Sequence, residues 1–149
     1  MRATLAVIAF LALTAARGAA QTSIEGRWVN PSHSVIINIA ACGDSLCGTV
    51  QWATAQAKQD ASSGTDSLVG TQLLTDLQQK GELWEGKLFV PDQNLHVEAK
   101  LEPAGDQQLK VSGCALDGMV CDSQLWARAA GPLPASHRTR KGRSLRRPA

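Results

Sequence analysis

The sequence predicts an all-β fold, a small antiparallel up-and-down barrel of about eight strands. Three observations predict it. The four cysteines fall as two close pairs, Cys42/Cys47 and Cys114/Cys121, and each pair brackets a hairpin turn. Apolar and polar residues alternate in short runs from Val35 to Arg128, with turn residues between the runs. No amphipathic helix and no internal repeat interrupts this pattern. An open sheet of that many strands would leave long unpaired edges, so closure into a barrel is the expected arrangement.

Gly26-Arg27-Trp28 opens the first strand. Val35, Ile37 and Ile39 share one face of the next, which turns at Cys42-Gly43-Asp44-Ser45-Leu46-Cys47 and resumes from Gly48 through Val50 to Trp52. Residues 53–67 are small and polar and read as a long loop, the place for a lid or contact surface. A strand is expected around Gln72–Leu77, ended by Gln78-Gln79-Lys80-Gly81. Trp84, Gly86, Leu88 and Val90 then alternate with Glu85, Lys87 and Phe89, and Pro91-Asp92-Gln93-Asn94 makes the turn. Leu95, Val97, Ala99 and Leu101 face in, with His96, Glu98, Lys100 and Glu102 out. After Pro103-Ala104-Gly105-Asp106, Leu109, Val111 and Gly113 lead to the second cysteine pair, and Val120 to Arg128 ends the domain.

Around this domain the chain divides into three parts. Residues 1–20 read as a secretory signal peptide: Met1-Arg2, an apolar run from Leu5 to Leu13 too short to span a membrane, and small residues Gly18-Ala19-Ala20. Cleavage near Ala20 implies a periplasmic or secreted protein, an oxidising setting in which close cysteines form disulfides. Four cysteines allow three connectivities. Pairing 42–47 and 114–121 is favoured because a hairpin brings those sulfurs together. Residues 21–130 hold seven Lys/Arg and all thirteen Asp/Glu, a net charge of −6. Residues 131–149 carry six Lys/Arg without an acid, +6, and are expected to be a disordered basic tail.

In an antiparallel barrel of even strand number the first and last strands pair. Trp28 can then sit beneath Arg128 of the closing Trp126-Ala127-Arg128, a cation–π contact that plugs one end. This resembles the Gly-x-Trp and closing Arg of lipocalins and related small barrels. Taken together, the motifs resemble an exported bacterial family, domain of unknown function 2147. They are Gly26 and Trp28; the Cys-Gly-Asp-x-Leu-Cys-Gly hairpin from Cys42 to Gly48; Leu68 and Gly70; Trp84, Gly86 and Leu88; and Gly113-Cys114, Cys121 and Trp126-Ala127-Arg128. The resemblance spans roughly residues 24–129. It implies a lipocalin-like barrel in the cell envelope and names no reaction. The chain departs from the family pattern at Asp60–Asp66, where an Asn-Pro and basic residues are common. It departs again at Asn94 and Val97, which stand in place of a glycine and a tyrosine.

No residue set here dictates a chemistry, and the chain is not expected to be an enzyme. Gly43-Asp44-Ser45-Leu46 spells an esterase tetrapeptide, but it is a hairpin tip, and His33, His96 and His137 stand singly. Cys-x4-Cys and Cys-x6-Cys match no usual zinc spacing, and neither metal nor cofactor is expected. Glu82/Glu85 and Glu98/Glu102 read as solvated strand edges or outer faces. Binding is the better expectation. Trp52, Trp84, Leu88, Phe89, Val97 and Val111 are the candidates to line a mouth for a small apolar or amphipathic ligand. The same tryptophans are equally what a filled core contains, and the filled core is the favoured of the two. The alternative is an envelope interaction module acting through its outer surface and basic tail on anionic polymers or membrane. Nucleic acid is not expected as a partner, and the protein is expected to be a monomer.

Overall fold

A computed structural model describes residues 23–135. The expected signal peptide and the tail beyond Ala135 lie outside the described residues. Eight antiparallel strands follow one another round a closed barrel: β1 (Gly26–Val29), β2 (Val35–Cys42), β3 (Ser45–Ala53), β4 (Gln72–Lys80), β5 (Leu83–Val90), β6 (Leu95–Pro103), β7 (Gln108–Ala115) and β8 (Val120–Arg128). Each strand pairs with its sequence neighbours, and β1 closes on β8 through Trp28 opposite Arg128 and Val29 opposite Ala127. The barrel is all-β apart from short helical turns, as the alternation predicts.

Up-and-down order sorts the connections to two ends. The start of β1, the hairpins β2–β3 and β4–β5, the β6–β7 turn and Arg128 share one end. The β1–β2 loop, residues 54–71, the β5–β6 turn and the β7–β8 turn share the other.

The interior is filled. Ile24, Trp28, Ile37, Ile39, Val50, Leu74, Leu77, Leu101 and Leu109 are almost wholly removed from water, and Trp126 and Val111 pack with them. Each such apolar side chain contributes roughly 1.5–3 kcal/mol. On the outer face, β5, β6 and β7 set opposite charges across from one another: Glu85 opposite Lys100, Lys87 opposite Glu98, Glu102 opposite Lys110. Such exposed pairs are worth only a few tenths of a kcal/mol each.

Three local features depart from simple alternation. Residues 53–67 are not a plain loop: α1 (Ala55–Asp60) and a 3-10 turn (Ala61–Ser63) form within them. Thr54 caps the helix by accepting from the Ala57 N–H at 3.1 Å. Six residues are too few to show a helical period, which is why the pattern reads as loop. The segment covers its end of the barrel, with Ala61 and Leu68 buried in the core and Ser63 Oγ donating towards the Pro91 and Asp92 carbonyls at 3.3 and 3.1 Å.

A bulge lies in β3 between its pairings with Ile37 and Ile36. Val50 lies opposite Ile37 in the core, but Trp52, not Gln51, lies opposite Ile36, which puts Trp52 on the outer face. A wider irregularity in β4 brings Leu74 and Leu77 inward at a spacing of three, with Asp76 between them at φ 54°. Beyond it β4 continues to Lys80, past the end expected at Leu77. Gly86 makes room for this bulge: a Cβ there would stand 2.5 Å from the Thr75 carbonyl oxygen.

Candidate functional site

Both disulfides join the cysteines within one hairpin. Cys42 and Cys47 have Cα atoms 5.8 Å apart, and Cys114 and Cys121 4.1 Å apart. They lie at opposite ends of the barrel. Formation of both fits an oxidising compartment. Among the described residues no helix is long and apolar enough to cross a membrane.

Arg128 occupies the end at which β1 begins. Its guanidinium stacks 4.2 Å over the Trp28 ring. It also donates to the Asp106 carbonyl at 2.8 Å, the Glu25 carbonyl at 2.9 Å and the Ser23 carbonyl at 3.3 Å. Trp28 in turn donates its indole N–H to the Ile24 carbonyl at 2.8 Å. One side chain therefore ties together the segment before β1, the β6–β7 turn and the closing strand. Gly26, at φ 112°, lets β1 start there, because a Cβ would fall 2.9 Å from Arg128 Nη1.

Across the same end is an open groove of about 510 Å³. Ala41, Leu46 and Trp84 supply its apolar wall over the buried Leu77, and Asp44, Ser45, Gln78 and Gln79 its polar rim. The β2–β3 tip stands as one side, held by Cys42–Cys47. Gly43 there takes the left-handed conformation (φ 71°) that a two-residue turn needs. The β4 bulge sets Leu77 into the floor. Ser45 Oγ lies 3.5 Å from the Cys42 carbonyl, so the hydroxyl of the Gly-Asp-Ser-Leu stretch faces the turn's own backbone.

The six residues expected to line a ligand mouth are not brought together. Trp84 borders the groove. Leu88 and Val97 pair with each other and face inward against Gly113, and Val111 is buried in the core. Phe89 points outward, where its ring stacks on exposed His96 with centroids 4.5 Å apart. Trp52 is turned outward by the β3 bulge. Neither outward ring can line the interior, because alternation along β5 and the extra residue in β3 put them on the wrong face. The groove residues Asp44, Ser45 and Leu46 were visible in the sequence as the tip between two cysteines. Leu77 was hidden, because a bulge breaks the alternation that would have placed it.

No curated protein matches the chain. Among solved structures it is similar to HP1028 from Helicobacter pylori, described as belonging to the lipocalin family. The likeness has a TM-score of 0.54 at 9% sequence identity, and covers 73% of this chain and 84% of that one. At that identity the likeness concerns the fold, an eight-stranded lipocalin-like barrel. Residues 26–128 match the model of the family described as "Uncharacterized protein conserved in bacteria (DUF2147)". That stretch runs from the glycine beneath Arg128 to Arg128 itself, taking in all eight strands and both disulfides, and the chain belongs to this family.

Proposed function

We propose that the protein is an exported envelope protein that binds a small apolar or amphipathic ligand at the open groove beside Trp84. The observation that carries this reading is the composition of the groove. An indole and the Leu46 side chain form one wall above the buried Leu77, and Asp44, Ser45, Gln78 and Gln79 stand at the rim, within about 510 Å³. That combination suits a molecule with an apolar body and a polar end, and the volume lies within the usual range for small-ligand sites. The filled interior supports a mouth site over a deep one: a ligand inside the barrel would have to displace leucine and tryptophan side chains packed there. Two motifs by which the chain resembles its family, the Cys42–Gly48 hairpin and Trp84-x-Gly86, both border the groove.

Titration of the oxidised protein with a medium-chain fatty acid, followed by tryptophan fluorescence, tests the reading. Saturable quenching or enhancement is expected, and it should disappear in Trp84→Phe while the other three tryptophans still emit. No response, or the same response in Trp84→Phe, would overturn it.

The charge of the chain supports a second reading, an envelope interaction module. The −6 of residues 21–130 stands against the +6 of residues 131–149. A segment of that charge binds phosphate-rich surfaces reversibly and in a salt-dependent way. Retention on anionic vesicles that vanishes when residues 131–149 are deleted, together with a silent fatty-acid titration, would favour it over the first.

A further inference from the structure

The chain leaves the barrel at the end that carries the groove. Past β8, Ala129 donates to the Arg27 carbonyl at 2.9 Å and Arg27 donates to the Gly131 carbonyl, so the backbone is held beside the start of β1. Residues 136–149 follow, outside the described residues. They carry Arg138, Arg140, Lys141, Arg143, Arg146 and Arg147 without an acid, and Leu145 is their one large apolar side chain. In an extended segment Arg143, Leu145 and Arg147 share a face.

The groove offers the complement. Leu46 and Trp84 are only partly buried against the core, and the rest of each borders the opening. The two hairpin tips on either side, residues 42–47 and 78–85, hold Asp44, Glu82 and Glu85 against Lys80. Glu85 lies opposite Lys100 across the sheet, which leaves the exposed Asp44 and Glu82 for an incoming cation. Among the described residues no cation stands within ion-pair distance of either. The tail is long enough to reach them. From β8 to β4 is four strand steps round the barrel in either direction, about 20–25 Å at ordinary strand spacing and tilt. The stretch from Ala135 to Leu145 spans up to about 33 Å when extended.

We propose that residues 143–147 of the chain's own tail occupy this groove when no ligand does, with Leu145 seated on Leu46 and Trp84 and the flanking Arg143 and Arg147 against Asp44 and Glu82. This occupancy presupposes the binding role given above to the groove and makes the tail its built-in competitor. Tethering compensates for the small contact: an attached segment meets its site at a high effective concentration, so interactions too weak to hold a free peptide suffice. Salt screens the ionic part and leaves the leucine contact. Ligand and tail use the same wall, so each weakens the other by the same factor.

Zero-length carbodiimide coupling of the oxidised chain, at low salt and without fatty acid, tests this. Lys141 is the one lysine of the tail, and it couples only to a carboxylate that it touches. Mass mapping of the monomer fraction is expected to find Lys141 joined mainly to Asp44 and Glu82. Leu145→Ser alters no residue of the barrel, should cut those two products at least about fivefold, and should tighten the fatty-acid titration by a similar factor. Several outcomes overturn the docking: no Lys141 product, products confined to cross-linked dimers, or Lys141 joined evenly to acids at both ends, Asp60, Asp92 and Asp117 among them. Products or a saturable titration left unchanged by Leu145→Ser overturn it too. A silent fatty-acid titration with the two products in place overturns the ligand reading alone.

Discussion

The guanidinium of Arg128, at the end of the last strand, lies 4.2 Å over the ring of Trp28 in the first, and the pair shuts the barrel where its two terminal strands meet. The same guanidinium bonds three carbonyls from two separate segments. Removing it should therefore cost more than one surface interaction. Arg128→Ala is expected to lower the free energy of unfolding by about 2–3 kcal/mol, combining the cation–π contact with charge-assisted hydrogen bonds. Arg128→Lys keeps the charge but loses the planar fork, and should recover only part of the difference. Urea denaturation of both variants checks this. An alanine variant as stable as the parent would show that the contact does not hold the barrel shut.

Gly86 and the β4 bulge form a second dependent pair. A methyl at position 86 meets backbone on the facing strand, Thr75 O at 2.5 Å and Asp76 C at 3.0 Å, and backbone moves less readily than a side-chain end. Gly86→Ala should destabilise by about 1–3 kcal/mol, whereas Glu85→Ala beside it on the outer face should stay within about 0.5 kcal/mol. Thermal melts of the two variants give the comparison. Equal effects would mean that the bulge yields without strain.

Leu77 is buried without remainder, and it reaches the core only because of that bulge. Leu77→Ala should cost about 2–5 kcal/mol, the range for truncating a leucine in a packed interior. It should also widen the groove floor, so binding of a bulky apolar dye should change in the same variant. A loss below about 1 kcal/mol would show that Leu77 is not part of the core.

The disulfides close short loops, and each should add about 2 kcal/mol by the chain-entropy estimate. Replacing Cys42 and Cys47 by serine should lower stability by about that amount and loosen the wall of the groove, weakening ligand binding. Replacing Cys114 and Cys121 should give a similar loss, with faster proteolysis at the left-handed turn from Leu116 to Gly118 and no change at the groove. Mass mapping of the unreduced parent should find peptides joined 42–47 and 114–121. Cross-linked peptides joining the two hairpins would contradict this pairing.

Alternation was enough to place most of the strands and their faces. β5 and β6 pair from Trp84 opposite Leu101 to Val90 opposite Leu95 without a break, as their period-two pattern requires. Trp28 and Arg128 were legible because strand parity forces the first and last strands together. Trp52 and Leu77 were not, because one added residue in β3 and the irregularity in β4 each reverse the face of the residues beyond them. α1 was missed because its capping threonine precedes only six residues. The groove was half legible: its cysteine-bounded tip stands out in the chain, but nothing local says that Leu77 and Trp84 come to lie beside it.

The order of amino acids settled which segments become strands, where they turn, and which cysteines meet, since these depend on neighbours a few positions away. Where the barrel is full and where it is open depended on contacts between distant segments: Ala61 and Leu68 folding back over one end, Arg128 reaching across the other, and β1 stopping short along β8. A short strand and a long one look equally complete in a sequence. Only their pairing reveals which edge is left over.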